Sequence, residues 1–383
     1  MPPLPEPSTE ARQHSQQLTT LIQQEIAGAG GWIPFSRFME LALYAPGLGY
    51  YSAGASKFGL AGDFITAPEI SGLFAKTLAR QVAQVLRLVG GDVMEVGAGS
   101  GRLALQLLSG LDALGALPPH YYILEVSADL RERQRQLIKD GAPHLLERVV
   151  WLNALPDSFT GIVLGNEVLD AMPVHIVAWR EDGLYERGVL GTGNEFQWSD
   201  RTLTNNALLE IARGIHVPAG YVSEVNVAAQ GFIASLAHML QQGAILMIDY
   251  GFGESEYYHP QRAQGTLMCH YRHHAHADPF HLPGLEDITA HVNFSAIAHA
   301  GIQNGLQLLG YTTQASFLLN CGITDILSET PPDNASAYLP LANQAQKLLS
   351  PAEMGELFKV MALGKNVREA LVGFSAGDKS RLL

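Results

Sequence analysis

The stretch from Asp92 to Leu111 constrains this chain most. An apolar run, Asp92 to Val96, passes through Gly97-Ala98-Gly99-Ser100-Gly101 into a helical pattern from Arg102 to Leu111. Glycines at a strand-to-helix turn permit positive φ and let the backbone approach a ligand closely, while the helix N-terminus presents N–H groups. A nucleotide-like cofactor fits such a turn; the alternative is a tight turn with a structural role only. A dinucleotide site, G-x-G-x-x-G, would need its third small residue where Arg102 stands, and a pyrophosphate needs that close helix approach.

The order present is E-x-G-x-G-x-G, with Glu95 two places before Gly97 and then Gly99. This pattern resembles the first motif of class I methyltransferases, whose methyl donor is S-adenosyl-L-methionine. Further short apolar runs, Tyr121 to Val126, Arg148 to Leu152, Gly161 to Gly165 and Ala244 to Asp249, alternate with helical stretches. That alternation predicts an α/β fold with a Rossmann-like, mostly parallel sheet covered on both faces. The second run ends Leu124-Glu125-Val126, which puts Glu125 beside the glycine turn, where a carboxylate can accept hydrogen bonds from both ribose hydroxyls. A solvated strand-end acid is the plainer reading. Asn153, at the end of the third run, is placed to meet the adenine, with Leu152 or Ala154 giving apolar contact.

Before the sheet, Ser8 can cap a helix carrying Leu18, Leu21, Ile22 and Ile26, and a second helix is expected from Ile70 to Val89. Residues 1–90 therefore read as an N-terminal helical region, and 91–383 as a Rossmann-like domain with an insertion at about 172–235. Inside the insertion, Val174 to Trp198 alternates apolar and polar residues around Asp182-Gly183 and Gly191 to Gly193, a hairpin signature. Thr312 to Leu319 and Glu356 to Gly364 read as two further strands, with loop and helix from Asp333 to Leu349 between them.

A formal charge of −13 leaves no sequence-wide basic footprint for nucleic acid and suits a cationic substrate better. Cys269 and Cys321 are too few for a disulfide framework or a thiolate zinc site. No apolar stretch reaches the roughly 18 residues of a membrane-spanning helix. The first 36 residues have neither a secretory apolar region nor the basic bias of a transit peptide, so a cytoplasmic location is expected.

Several segments occur together in one order: Tyr44-Ala45-Pro46-Gly47-Leu48-Gly49-Tyr50-Tyr51, Gly62-Asp63-Phe64-Ile65-Thr66-Ala67-Pro68-Glu69-Ile70-Ser71, and Gly165-Asn166-Glu167-Val168-Leu169-Asp170-Ala171-Met172-Pro173-Val174. With Ile248-Asp249-Tyr250-Gly251 and Asp287-Ile288-Thr289-Ala290-His291-Val292-Asn293-Phe294, they resemble the MidA family across roughly residues 30–365. That family includes the mitochondrial arginine methyltransferase that assists respiratory complex I assembly. The resemblance implies a class I methyltransferase fold with added N-terminal helices and an inserted cap, methylating arginine of a protein substrate, which for the mitochondrial member is a complex I subunit. The sequence leaves the oligomeric state open, a homodimer being one assembly open to it. Asn293 departs from the acid expected there, which weakens any charged role at that position.

Asn166, Glu167 and Asp170 follow the fourth run, so they should emerge at the carboxyl edge where open α/β sheets bind ligands. Asn166 is assigned to the cofactor. Glu167 and Asp170 could clamp a guanidinium through paired N–H bonds, and Asp170 could equally cap the next helix. Asp63, Thr66 and Glu69 could close over the sulfonium end of the cofactor, yet Thr66 and Glu69 also have capping-box spacing. His270, His273, His274, His276, His281 and His291 crowd one region without a compact ligand motif, and no metal is expected. Small-molecule methylation and a non-catalytic assembly role are the competing functions, and a nicotinamide-dependent oxidoreductase is the distant one.

Overall fold

The structure, a computed structural model, describes residues 4–53, 66–193 and 195–383. The chain divides into two compact units: one of Met1–Phe64, Asp170–Ala229 and Glu254–Asn293, the other of Ile65–Leu169, Gln230–Gly253 and Phe294–Leu383. The helix before the glycine turn, α1 (Gly72–Val89), thus falls in the second unit and not in an N-terminal region ending at residue 90. Its apolar face explains this: Phe74, Leu78, Val82 and Val85 share one core with Val93, Leu107 and Ile162.

The second unit holds the sheet. Its strands are β1 (Asp92–Val96), β2 (Tyr121–Leu124), β3 (Val149–Leu152), β4 (Phe159–Asn166), β5 (Leu240–Phe252), β6 (Gln307–Thr313) and β7 (Phe358–Lys365), in the order β6-β7-β5-β4-β1-β2-β3. β5, β4, β1, β2 and β3 run parallel, whereas β7 is antiparallel to both its neighbours. Strand order reverses between β1 and β4, and an α/β sheet binds ligands outside the carboxyl ends of its strands at such a switch. Helices α2 (Arg102–Ala113) and α3 (Ala128–Gly141) follow β1 and β2.

The starts of β4 and β5 are packed to backbone contact. Asp92, Gly161 and Gly243 share one register across β1, β4 and β5. A Cβ on Gly161 would lie 1.9 Å from Asp92 O, and one on Gly243 would lie 1.8 Å from Gly161 O. The stretch Thr312 to Leu319 is only partly a strand: the chain turns helical at Gln314–Asn320, because Thr313 caps it by accepting a hydrogen bond from Ser316 N–H at 3.2 Å.

In the first unit, Ser8 caps the helix Thr9–Gly28 as its sequence predicts. The hairpin excursion forms strands His175–Arg180, Gly183–Thr192 and Glu195–Thr202, joined in one sheet by Ile33–Pro34 and Tyr221–Val225. Strand alternation divides the cores: Ile176 and Ala178 join the apolar residues of helices Thr9–Gly28 and Phe35–Tyr44, while Val177 and Trp179 pack with Leu208, Ala212 and Tyr221. A smaller sheet orders as His274–His276, Met268–Tyr271 and Asp287–Thr289. Among the described residues no helix is long and apolar enough to cross a membrane.

Candidate cofactor and active site

The glycine turn leaves β1 with Gly97, Gly99 and Gly101 at φ of 68°, 52° and 83°. Two of the three have a steric duty besides. A Cβ on Gly97 would meet Val168 Cγ2 at 2.8 Å, and one on Gly101 would meet Gln134 Cγ at 2.9 Å. Gly101 is the N-cap of α2 and supplies no side-chain cap, as suits a helix end that receives a ligand.

Glu69 fixes the turn from the preceding helix. Its carboxylate accepts from Ser100 Oγ at 2.5 Å and pairs with Arg102 Nε at 2.7 Å. The capping-box reading is not realised, since Thr66 occupies the N-cap of Ala67–Ile70 without a side-chain cap bond. Glu95 lies beneath the turn, buried, with its Oε2 accepting from Tyr121 OH at 2.5 Å. Burial raises its pKa to about 7, and the tyrosine hydrogen bond only partly opposes that. Asp63 lies outside the described residues.

Glu125 stands directly after β2, and its Oε1 accepts from Ser127 N at 2.8 Å. Its neighbour Val126 is 79% exposed, an apolar side chain left in solvent beside the acid and suited to cover a planar base. Asn153 and Ala154 are exposed after β3. Arg131 donates to Asn153 Oδ1 at 2.5 Å and to Leu152 O at 2.7 Å, and its Nε donates to Glu125 O at 2.6 Å. One guanidinium thus joins the ends of β2 and β3.

After β4 the chain makes a strained turn. Glu167 has φ of 53°, a left-handed conformation costly for a residue with a side chain. Two contacts hold it there: Glu167 N donates to Ile248 O at 2.9 Å, and the buried Asp249 carboxylate accepts from Val168 N and Leu169 N at 3.1 and 2.9 Å. Asn166 Nδ2 donates to Glu167 Oε1 at 3.0 Å, while Asn166 Oδ1 is buried with no hydrogen-bond partner among the described residues. An orphaned acceptor at the sheet's carboxyl edge fits a polar ligand. With the glycine turn and Glu125, it makes a donor and acceptor set suited to a nucleoside bearing a polar tail.

Thr66, Glu69, Glu95, Gly97, Gly99, Glu125, Asn153, Ala154, Asn166 and Glu167 all belong to the second unit, whereas Asp170 begins a segment of the first. There Asp170 is buried, its carbonyl accepting from Ala290 N at 3.0 Å. It caps no helix: a turn leads into the strand His175–Arg180. In the same unit Tyr51 OH donates to Asp287 Oδ1 at 2.9 Å, and Tyr44 OH donates to Ala171 O at 2.9 Å. His276 Nε2 lies 3.0 Å from Glu286 Oε2, and burial lowers the His276 pKa. Among the described residues no group of three His, Cys, Asp or Glu side chains is arranged to hold a metal ion.

Sequence reasoning missed Gln134, Val126, Arg131 and Asp249 as parts of this site. Asp249 carried a signal, since it stands in one of the segments that mark the MidA resemblance. A glutamine within a helix carries none until its neighbours are known.

The family described as "Putative S-adenosyl-L-methionine-dependent methyltransferase" matches residues 77–312. A crystal structure from Burkholderia thailandensis, bound to S-adenosyl-homocysteine, is 54% identical and covers 100% of both chains with a TM-score of 0.96. Among curated proteins, the mitochondrial protein arginine methyltransferase NDUFAF7 of Danio rerio is 30% identical, covering 89% of this chain and 86% of its own length. The Drosophila melanogaster homologue is 26% identical over 97% of this chain and 91% of its own length. With S-adenosyl-L-methionine as its methyl donor, this chain belongs to the MidA-like family of class I methyltransferases.

Proposed function

We propose that the protein methylates arginine side chains of a protein substrate, with Glu167 receiving the guanidinium. The observation that carries this reading is the left-handed turn at Glu167, built by Asp249 and Ile248 at the carboxyl end of β4. Strain maintained at one carboxylate beside a cofactor site points to a functional demand on that side chain. The names of the relatives from Danio rerio and Drosophila melanogaster support arginine as the acceptor. In this reading Gly97, Gly99, Asn153, Ala154 and Asn166 contact the cofactor, Glu125 takes its ribose, and Thr66 and Glu69 border its sulfonium end. Glu95, counted among the cofactor residues by its place in the motif, supports the turn instead, because its carboxyl is buried against Tyr121.

Bound S-adenosyl-L-methionine supplies an electrophilic methyl group on a sulfonium. Glu167 accepts N–H bonds from the guanidinium, orients one nitrogen, and takes the proton released as the N–C bond forms. Asp170 adds a second acidic group three residues on. A complex I subunit is the first substrate to test, and the cytoplasm is the compartment this reading assumes.

The test supplies radiolabelled methyl donor to the protein and to extract from cells lacking it, then hydrolyses labelled protein to amino acids. Label in methylarginine is the expected outcome; label confined to small molecules overturns the reading. Glu167→Gln should leave donor affinity within about twofold and reduce turnover roughly a hundredfold. Proportional loss of affinity and turnover would make Glu167 a cofactor ligand instead.

A further inference from the structure

We propose that Gln134 is a positioning residue for the cofactor, tying the glycine turn to Glu125 and fixing that carboxylate to receive the two ribose hydroxyls. This rests on the reading of Glu125 as the ribose ligand. Helix α3 buries only two side chains, Gln134 and Ile138. A glutamine buried this fully is costly unless its amide is satisfied. Here both N–H donors of the amide are directed at the site, and its oxygen is held by the neighbouring strand β3. Nε2 donates to Gly99 O at 2.9 Å and to Glu125 Oε2 at 3.4 Å, and Oε1 accepts from Trp151 Nε1 at 2.9 Å.

The third glycine of the motif belongs to the same device. A Cβ at Gly101 would lie 2.9 Å from Gln134 Cγ and 3.1 Å from its Cβ, so Gly101 makes room for Gln134 as well as supplying a positive φ. A carboxylate offers about four lone-pair sites. Ser127 N uses one on Oε1 and Gln134 one on Oε2. One site then remains on each oxygen, matching two adjacent hydroxyls on a ribose. Without Gln134, the carboxylate is held on one oxygen only and the carbonyl of Gly99 loses its donor.

Calorimetry of the full chain with S-adenosylhomocysteine tests this through a double-mutant cycle. Gln134→Leu should weaken binding about tenfold when Glu125 is present and no more than about threefold in a Glu125→Ala background, where only its contact with the Gly99 carbonyl is left to lose. Equal losses in both backgrounds, or unchanged binding in Gln134→Leu, overturn the inference. Unchanged affinity in Glu125→Ala alone overturns the ribose reading together with it; a Glu125 effect without coupling removes only the role of Gln134. Gln134→Glu covers the case in which the leucine variant does not fold. It keeps the shape and the acceptor for Trp151 but donates only when protonated; burial beside the Glu125 carboxylate raises its pKa, so its deficit should shrink as pH falls from about 8 to about 5. Wild-type affinity in that variant at about pH 8 also overturns the proposal.

Discussion

Glu95 is a motif residue whose chemistry burial has changed. Its carboxyl titrates at about 7 in the folded protein against an ordinary 4.5, so between those values the native state holds a proton that the unfolded chain has released. The resulting stability is fully present below about pH 4.5 and is lost as pH rises to about 7, a change of about 3 kcal/mol. Glu95→Gln keeps an acceptor for Tyr121 and cannot ionise. Its melting temperature should therefore exceed that of the parent increasingly from pH 5 to pH 8, as seen by thermal denaturation at a series of pH values, each about one unit apart. A pH-independent difference would mean that Glu95 does not titrate in that window. At this scale Glu95 was legible from the glycine motif, and Glu125 and Glu167 from their places at strand ends, but the partners that hold Glu95 and the turn at Glu167 are Tyr121 and Asp249, far off in sequence.

Among the elements, β1, β4 and β5 are the frame that places the switch point, and their starts are held by glycines facing backbone. Gly161→Ala would put a methyl group against Asp92 O at 1.9 Å on a backbone with φ of 134°. We expect it to destabilise the protein by on the order of 3 kcal/mol or more, read as a lower denaturation midpoint at unchanged slope. Wild-type stability would mean that β4 can shift along β1 without cost. The apolar runs of β1, β2 and β3 were legible to within two residues because covered parallel strands read as continuous apolar segments. The stretch after Thr312 was not, since a threonine at a strand end and a threonine capping a helix look alike until the Ser316 N–H is in place.

For the whole molecule, cofactor binding and folding are linked. Binding to the native state alone stabilises by about 2.7 kcal/mol at a hundredfold excess over Kd. S-adenosylhomocysteine should accordingly raise the melting temperature by several degrees, and Gly99→Val should melt lower than the parent, because a β-branched residue is strained at φ of 52°, and show no shift with ligand. A full shift in that variant would remove Gly99 from the cofactor site. Taken alone, the sequence determined the α/β class, the glycine turn and the carboxyl-edge acids, because these depend on local spacing: a strand, glycines, a helix, and the residue next after a strand. Only the tertiary structure decided that the chain divides as Met1–Phe64, Asp170–Ala229 and Glu254–Asn293 against the rest, and that Gln134 reaches Gly99 and Glu125. Those outcomes depend on which buried faces meet, and packing joins residues far apart in sequence through contacts that no local period records.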